Sequence, residues 1–197
     1  DNSVTVTVTV GGADYDATVN GTTWSIAKGV VGPLSDGTYT IDVTAEDSLG
    51  NQTTETVTDA LTIEAPTIKV TDPDGAVLAS GDLYTTNTLL TGVATTLTFE
   101  VANEGSADLD LETLTVSDES NVESVTAMGS DNVASGADDG VASITFTSSA
   151  VGAFSVKLNI PSNDPIVQTF TVTIQGNAEA PAPKMQVELR DGDTSLK

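Results

Sequence analysis

Cysteine and histidine are both missing from the 197 residues, and only 6 lysines and arginines stand against 29 aspartates and glutamates. Without cysteine there are no disulfides, no thiol nucleophile and no thiolate metal site. Without histidine the commonest general base and the usual zinc ligand are gone. The two absences weigh against catalysis, and no enzymatic activity is expected. The formal net charge of -23 opposes binding to nucleic acid or to an anionic membrane. No apolar run approaches the ~20 residues that span a bilayer, so no membrane insertion is expected in this segment. No signal peptide and no amphipathic helix of useful length is visible. Aromatic residues make up only 4% of the chain, so any core must be built mainly from Val, Leu, Ile and Ala.

What is present is alternation. In "SVTVTVTV" the valines at 4, 6, 8 and 10 share one face and Thr5, Thr7 and Thr9 the other, the period of two that marks a half-buried strand. "TYTIDVTA" repeats the parity, with Tyr39, Ile41, Val43 and Ala45 inward. Between them "NGTTWSI" reads as a hairpin turn, with positive φ at Asn20 and Gly21, feeding a strand that buries Trp24 and Ile26. A second series follows: Leu97, Phe99 and Val101, then Phe154, Val156, Leu158 and Ile160, then Phe170, Val172 and Ile174, with turn residues at sandwich-like spacing. The fold class expected is all-β, as two tandem Ig-like antiparallel β-sandwiches.

A boundary falls at "IEAPTI", where Ala65-Pro66 interrupts the alternation. The segment returns near the end: Ala65, Pro66, Val70, Asp74 and Gly75 match Ala182, Pro183, Val187, Asp191 and Gly192, 117 positions on. That interval is about one domain length. The expected organisation is therefore residues 1–64, residues 65–180, and a linker with the first strand of a following repeat at 181–197.

The stretches "VTVTVGGADYDATVNGTTWSI", "LSDGTYTIDVTAEDSLGNQT" and "DALTIEAP" make residues 1–64 resemble the bacterial Ig-like repeats of large RTX-type and biofilm-associated adhesins. Such repeats begin with a further strand ahead of the position of Asp1, so this unit is expected to lack its first strand. Residues 65 to about 180 resemble choice-of-anchor D and ASH-like β-sandwich repeats, through "TFEVANEGSADLDLETLTVS", "ITFTSSAVGAFSVKLNIPSNDP" and "FTVTIQGNA". Both resemblances imply a modular, non-catalytic repeat of an extracellular or cell-surface protein. They imply as partners neighbouring repeats of the same protein, protomers of one filament, or a cell-surface receptor or glycan.

The acids invite a metal reading. Calcium takes six to eight hard oxygens from carboxylates, amide carbonyls and backbone carbonyls. Asp47, Ser48 and Asn51 offer that mixture in one turn, and the adhesin resemblance implies Asp47 and Asn51 as ligands that join linker acids. "TDPDGAV" places Asp72 and Asp74 just after the linker, where they could close a site with Glu64 or Asp47. Turn chemistry explains both stretches as well, because Asp and Asn cap local backbone groups. "SNDP" at 162–165 reads as a turn fixed by Asx hydrogen bonding, without enough partners to be a site. The sequence thus points to a spacer that Ca2+ stiffens at domain ends, through Asp47, Asn51, Glu64, Asp72 and Asp74. The alternatives are a filament subunit assembling by strand donation or a ligand-binding adhesin domain.

Overall fold

The computed structural model describes residues 3–183, and every regular element among them is a strand, as the alternation predicts. β1 (Val4–Val10), β2 (Ala13–Asn20), β3 (Thr23–Ser25), β4 (Gly37–Asp47) and β5 (Gln52–Ile63) form one antiparallel sheet in the order β3-β2-β1-β4-β5. The central strand is the one with strict Val/Thr alternation. Val8 lies between Tyr15 and Val43, and Val6 between Ala17 and Ala45, so the predicted apolar parity is shared across three strands. Val6, Val8 and Val10 are buried. On the other face the hydroxyls pair across strands, Thr44 with Thr54 at 2.8 Å, and Thr9 donates to the Asp14 carboxylate at 2.7 Å. Pairs of this kind contribute roughly 0.2–1 kcal/mol each.

Two expectations in this unit need correction. The two-residue hairpin loop is Gly21-Thr22, because Asn20 pairs with Thr23, and positive φ falls on Gly21 alone. Trp24 is 45% exposed, and Ile26 is only half-buried. The reason is topological: Trp24 sits on a three-residue edge strand. The Ig-like reading holds, but the described strands of this unit lie in a single sheet. The segment between β3 and β4 folds back at its rim, with the Leu34 side chain against Gly11 and the Ser35 carbonyl accepting from the Tyr39 hydroxyl.

The second unit follows without a break. Its strands are β6 (Ile68–Thr71), β7 (Val77–Leu78), β8 (Leu83–Thr85), β9 (Leu89–Leu90), β10 (Ala94–Asn103), β11 (Leu109–Asp110), β12 (Thr115–Ser120), β13 (Val122–Gly129), β14 (Asn132–Val133), β15 (Gly140–Ser148), β16 (Gly152–Pro161) and β17 (Thr169–Glu179). One sheet runs β13-β15-β10-β6-β7 and the other β12-β16-β17-β8, with β9 also on β17 and β11 paired to β14. Phe99, Val101, Val156, Leu158, Ile160, Val172 and Ile174 are fully buried between them, on the parity that the sequence predicts. Aromatic contacts tie the sheets: Tyr84 meets Phe99 edge-on at 5.7 Å, and Phe146 meets Phe154 at 5.4 Å.

The chain enters this sandwich at β6 and leaves after β17. The β16–β17 turn lies at the leading end, beside Ile68, while Gly152 and Ala178 pair at the trailing end. The predicted first strand of a following repeat falls on residues 184–197, outside the described residues. Among the described residues no helix is long and apolar enough to cross a membrane.

Candidate functional site at the joint between the units

A joint is rigid when its backbone groups have nowhere else to bond and its side chains nowhere else to go. In residues 65–68 every amide proton is bonded and three of the four side chains are buried. The Ala65 amide donates to Asp36 Oδ1 at 3.0 Å, and the Ala65 carbonyl accepts from the Ser106 amide at 3.1 Å. Pro66 has no amide proton. The Thr67 amide donates to Asn103 Oδ1 at 3.1 Å, and its carbonyl accepts from the Glu104 amide at 2.9 Å. The Ile68 amide donates to Asp164 Oδ2 at 2.9 Å. Ala65, Pro66 and Ile68 are buried.

Three short motifs hold this segment. Asn103, at the end of β10, is 1% exposed and uses its whole amide: Oδ1 also accepts from Gly105 N at 3.0 Å, and Nδ2 donates to the carbonyls of Ala107 (2.8 Å) and Val133 (3.1 Å). Gly105 lets Ala65 and Pro66 lie directly on the β10–β11 loop; a Cβ there would stand 2.1 Å from the Ala65 oxygen. Asp164, 3% exposed, spends Oδ1 on the amides of Ile166 (2.7 Å) and Val167 (2.9 Å), the predicted Asx turn, and reaches β6 with Oδ2. The "N-x-G" and "SNDP" stretches of the second unit therefore fasten the start of its own first strand.

The first unit contributes Asp36, the residue before β4. Its Oδ1 accepts from the Ala65 amide and from the Ser106 hydroxyl, so one carboxylate touches the first unit, the linker and the second unit. These donors hold its pKa below the usual carboxylate value, with the Ser106 hydroxyl the largest cause and the Ala65 amide next. Beside it, a groove of about 530 Å3 is lined by Leu34, Leu61, Ile63, Glu64, Pro66 and Pro165, among others.

The sequence-predicted metal residues occupy three separate places. Asp47 and Asn51 close the β4–β5 hairpin at the end away from the joint, since Gly37 pairs with Ile63 and Glu46 with Gln52. Ten residues of strand separate Asp47 from Gly37, about 33 Å at ~3.3 Å per residue. Asp47 Oδ1 accepts from the amides of Leu49 (2.8 Å) and Asn51 (2.9 Å), and Oδ2 from Asn51 Nδ2 (2.9 Å). Asp72 does the same at the β6–β7 hairpin: Oδ1 accepts from the amides of Asp74 (2.9 Å) and Ala76 (2.8 Å). In both turns the fourth residue is a glycine with positive φ, Gly50 at 85° and Gly75 at 88°, and its amide donates to the carbonyl of the aspartate at 3.0 Å. The two candidate calcium loops are one turn used twice: aspartate at the first position clamps a tight hairpin whose fourth residue is left-handed.

Asp74 lies beside the Tyr84 phenol, whose pKa is raised by burial first and by this acid second. Glu64 is exposed at the joint groove. The structure thus places Asp47 and Asn51 at the far end of the first unit from Glu64, and Asp72 and Asp74 at the β6–β7 hairpin. Among the described residues no three Asp, Glu, His or Cys side chains converge as a metal cluster. The residues as placed do not form one calcium coordination sphere.

Both Asp36 and Asp47 have folded-state pKa values lowered from 3.8 by hydrogen-bond donors. A lowered pKa means that the unfolded chain binds more protons in the window between the two values, so stability rises with pH there. Their contribution is complete above about pH 5 and is lost as pH falls through the folded values. Unfolding followed from about pH 6 down to about pH 2 should show a shallower acid limb in Asp47→Asn and in Asp36→Asn than in the parent chain. An unchanged limb in both variants would contradict the assigned donors.

Sequence reasoning passed over Asp36, Asn103, Gly105 and Asp164 as site residues. Two local signals existed: Asp36-Gly37 opens a strand, and Asn103-x-Gly105 ends one. Neither says what lies opposite.

Comparison with known proteins bears mainly on the first unit. The model of a bacterial Ig-like domain matches residues 1–65, about the first third of the chain. No curated protein matches. Among solved structures, the chain is similar to a protein of unknown function from Porphyromonas gingivalis W83, with 13% identity over 88% of this chain and 84% of that one, at a TM-score of 0.45. An ASH/PapD-like domain of human CEP192 matches at 14% identity over 64% of this chain and 94% of that one, TM-score 0.43. Domains 4 and 5 of the S-layer protein SbsC match at 16% identity over 89% and 70%, TM-score 0.32. What these comparisons show for this chain is a similarity of its first 65 residues to a bacterial Ig-like domain.

Proposed function

We propose that the chain is a non-catalytic spacer of an extracellular or cell-surface protein, in which two β units are held end to end by protein groups alone. The observation that supports this most directly is the linker: each amide proton from Ala65 to Ile68 is donated to a side-chain oxygen, and those oxygens come from both units. A hinge needs backbone groups that exchange partners with water; here exchange would break one buried and two part-buried bonds. The large negative charge suits a molecule that projects from a surface and must not associate with its neighbours.

Calcium, expected from the sequence, enters this proposal as a ligand of the turns and not as the cement of the joint. Small-angle scattering of the full chain tests the reading. We expect one extended shape whose maximum dimension is the same with calcium and with chelator. We expect a broader distance distribution in the Asp36→Ala/Ser106→Ala variant. A parent chain that already samples many interdomain angles would defeat the spacer reading; a dimension that shrinks on chelation would return calcium to the joint.

A further inference from the structure

A backbone nitrogen can close a ring on the side-chain amide of the asparagine before it when three conditions hold. The nitrogen and the amide must be free of other partners, water must reach both, and no Cβ on the attacking residue may block the approach. The hairpin between β2 and β3 meets all three. Asn20 pairs with Thr23, so Gly21 and Thr22 lie outside the ladder. Among the described residues, neither the Gly21 amide nor the Asn20 side chain has a hydrogen-bond partner; the Thr23 hydroxyl reaches only the Asn20 carbonyl, at 3.0 Å. Residues 20–22 are exposed, and the space around Gly21 is open, since even a Cβ there would meet nothing within 4 Å.

Elsewhere the same chemistry is held back. Every other asparagine precedes a residue that carries a side chain. Asn51, Asn121 and Asn163 also spend Nδ2, on Asp47 Oδ2 (2.9 Å), on the Ala150 carbonyl (2.9 Å) and on the Asp108 carbonyl (3.1 Å). The aspartate-glycine pairs are engaged too: Asp36 gives its carboxylate to the Ala65 amide and the Ser106 hydroxyl, Gly75 N donates to Asp72 O at 3.0 Å, and Gly140 is buried on β15 opposite Val101.

We propose that Asn20-Gly21 is a site of self-catalysed covalent modification, converting the asparagine to a mixture of aspartate and isoaspartate. Hydroxide takes the Gly21 amide proton, and the nitrogen attacks Asn20 Cγ. The new N–Cγ bond closes a succinimide, the Cγ–Nδ2 bond breaks, and Nδ2 takes a proton from water and leaves as ammonia. Water then opens the ring. Cleavage of the N–Cγ bond leaves aspartate, and cleavage between the nitrogen and the former backbone carbonyl leaves isoaspartate, whose main chain runs through Cβ and Cγ. The balance is one amide and one water for one carboxylic acid and one ammonia, with no oxidant or reductant.

Isoaspartate adds a carbon to a two-residue loop whose shape depends on a left-handed Gly21, φ 63°. β3 is held by three pairs, Thr18 with Ser25, Val19 with Trp24 and Asn20 with Thr23, so the change releases this edge strand together with the single tryptophan. β2 then becomes the open edge of the sheet. The hairpin lies at the Asp47 end of the unit, since Val6 pairs with Ala17 and Val4 with Asp47, so the linker bonds are untouched and the inference stands apart from the spacer reading.

The test is ageing of the 197-residue chain in mildly alkaline heavy-oxygen water, read by peptide mass analysis, an isoaspartyl methyltransferase assay and Trp24 emission. We expect the peptide with residue 20 to lose its amide nitrogen, gain heavy oxygen and become a methyl acceptor, at a rate proportional to hydroxide. Asn51, Asn121 and Asn163 should keep their amides, and the emission maximum should move to the red in step with the isoaspartate. Asn20→Gln, which needs a larger ring, should age without either change and melt with the fresh parent. Fresh Asn20→Asp, which adds the charge without the extra backbone carbon, should emit like the fresh parent. An amide retained at residue 20 overturns the site. Aspartate without isoaspartate means direct hydrolysis and overturns the ring. Isoaspartate with unmoved emission, or a red shift already present in fresh Asn20→Asp, overturns the release of β3.

Discussion

Replacing Asn103 with alanine should unfold the second unit more readily than any surface change, by about 3–5 kcal/mol. The side chain is buried and makes four hydrogen bonds, two as acceptor from Thr67 N and Gly105 N and two as donor to Ala107 O and Val133 O. Alanine leaves two amides and two carbonyls without their partner where water has little access. Each such group costs roughly 1–3 kcal/mol when stranded, with relaxation and water entry reducing the sum. A domain whose whole stability is about 5–15 kcal/mol feels such a loss plainly. Asn103→Asp is nearly the same size but loses both donors, so it should fall on the same side. Denaturant unfolding of the full chain reads the difference; a loss below about 1 kcal/mol for Asn103→Ala would mean that solvent replaces the amide, contrary to its burial.

Gly105→Ala should be the next most damaging change, at about 2–4 kcal/mol, and it should also loosen the joint. The added carbon would meet Ala65 O at 2.1 Å, Thr67 N at 2.7 Å and Pro66 C at 2.8 Å, all backbone atoms that no rotamer change can move. The linker must lift, and the bonds from Ser106 N to Ala65 O and from Thr67 N to Asn103 go with it. Gly32→Ala is the control, because a Cβ there meets nothing within 4 Å. It should stay within about 0.5 kcal/mol of the parent. Combined melting and scattering separates the two consequences: Gly105→Ala should lower the melting temperature and widen the interdomain distribution together. A variant that melts earlier yet keeps the parent's shape would show that the joint does not depend on this close approach.

Asp36 acts differently from both. It is a surface carboxylate, so its removal should change the angle between units far more than it changes the stability of either. This contrast explains why the second unit can be thought of as anchoring its own first strand, through Asn103 and Asp164, while the first unit adds one contact that fixes direction.

The strands were legible because a two-residue period is a local property. The parity of Val6, Val8 and Val10, and of Val156, Leu158 and Ile160, is written in adjacent letters, and the structure keeps it. So was the turn chemistry of Asp47 and Asp72, which depends on residues at most four positions away. Trp24 misled because size and hydrophobicity say that a residue can be buried, whereas burial needs a neighbour that only the sheet order supplies. The candidate site was less legible for a related reason: the resemblance grouped Asp47 with the linker acids, whereas β4 carries it a full strand length away from Gly37 and Ile63.

By itself, then, the sequence determined the all-β class, the inward parity of β1, β10, β16 and β17 and the aspartate turns at Asp47 and Asp72, because each of these is decided within a few residues. Only the tertiary structure decided that Asp36, Asn103, Gly105 and Asp164 converge on the linker, because they lie 29, 36, 38 and 96 positions from the linker residues that they touch. Contacts at that separation arise from how strands are ordered and which ends of them coincide, and no local pattern encodes either.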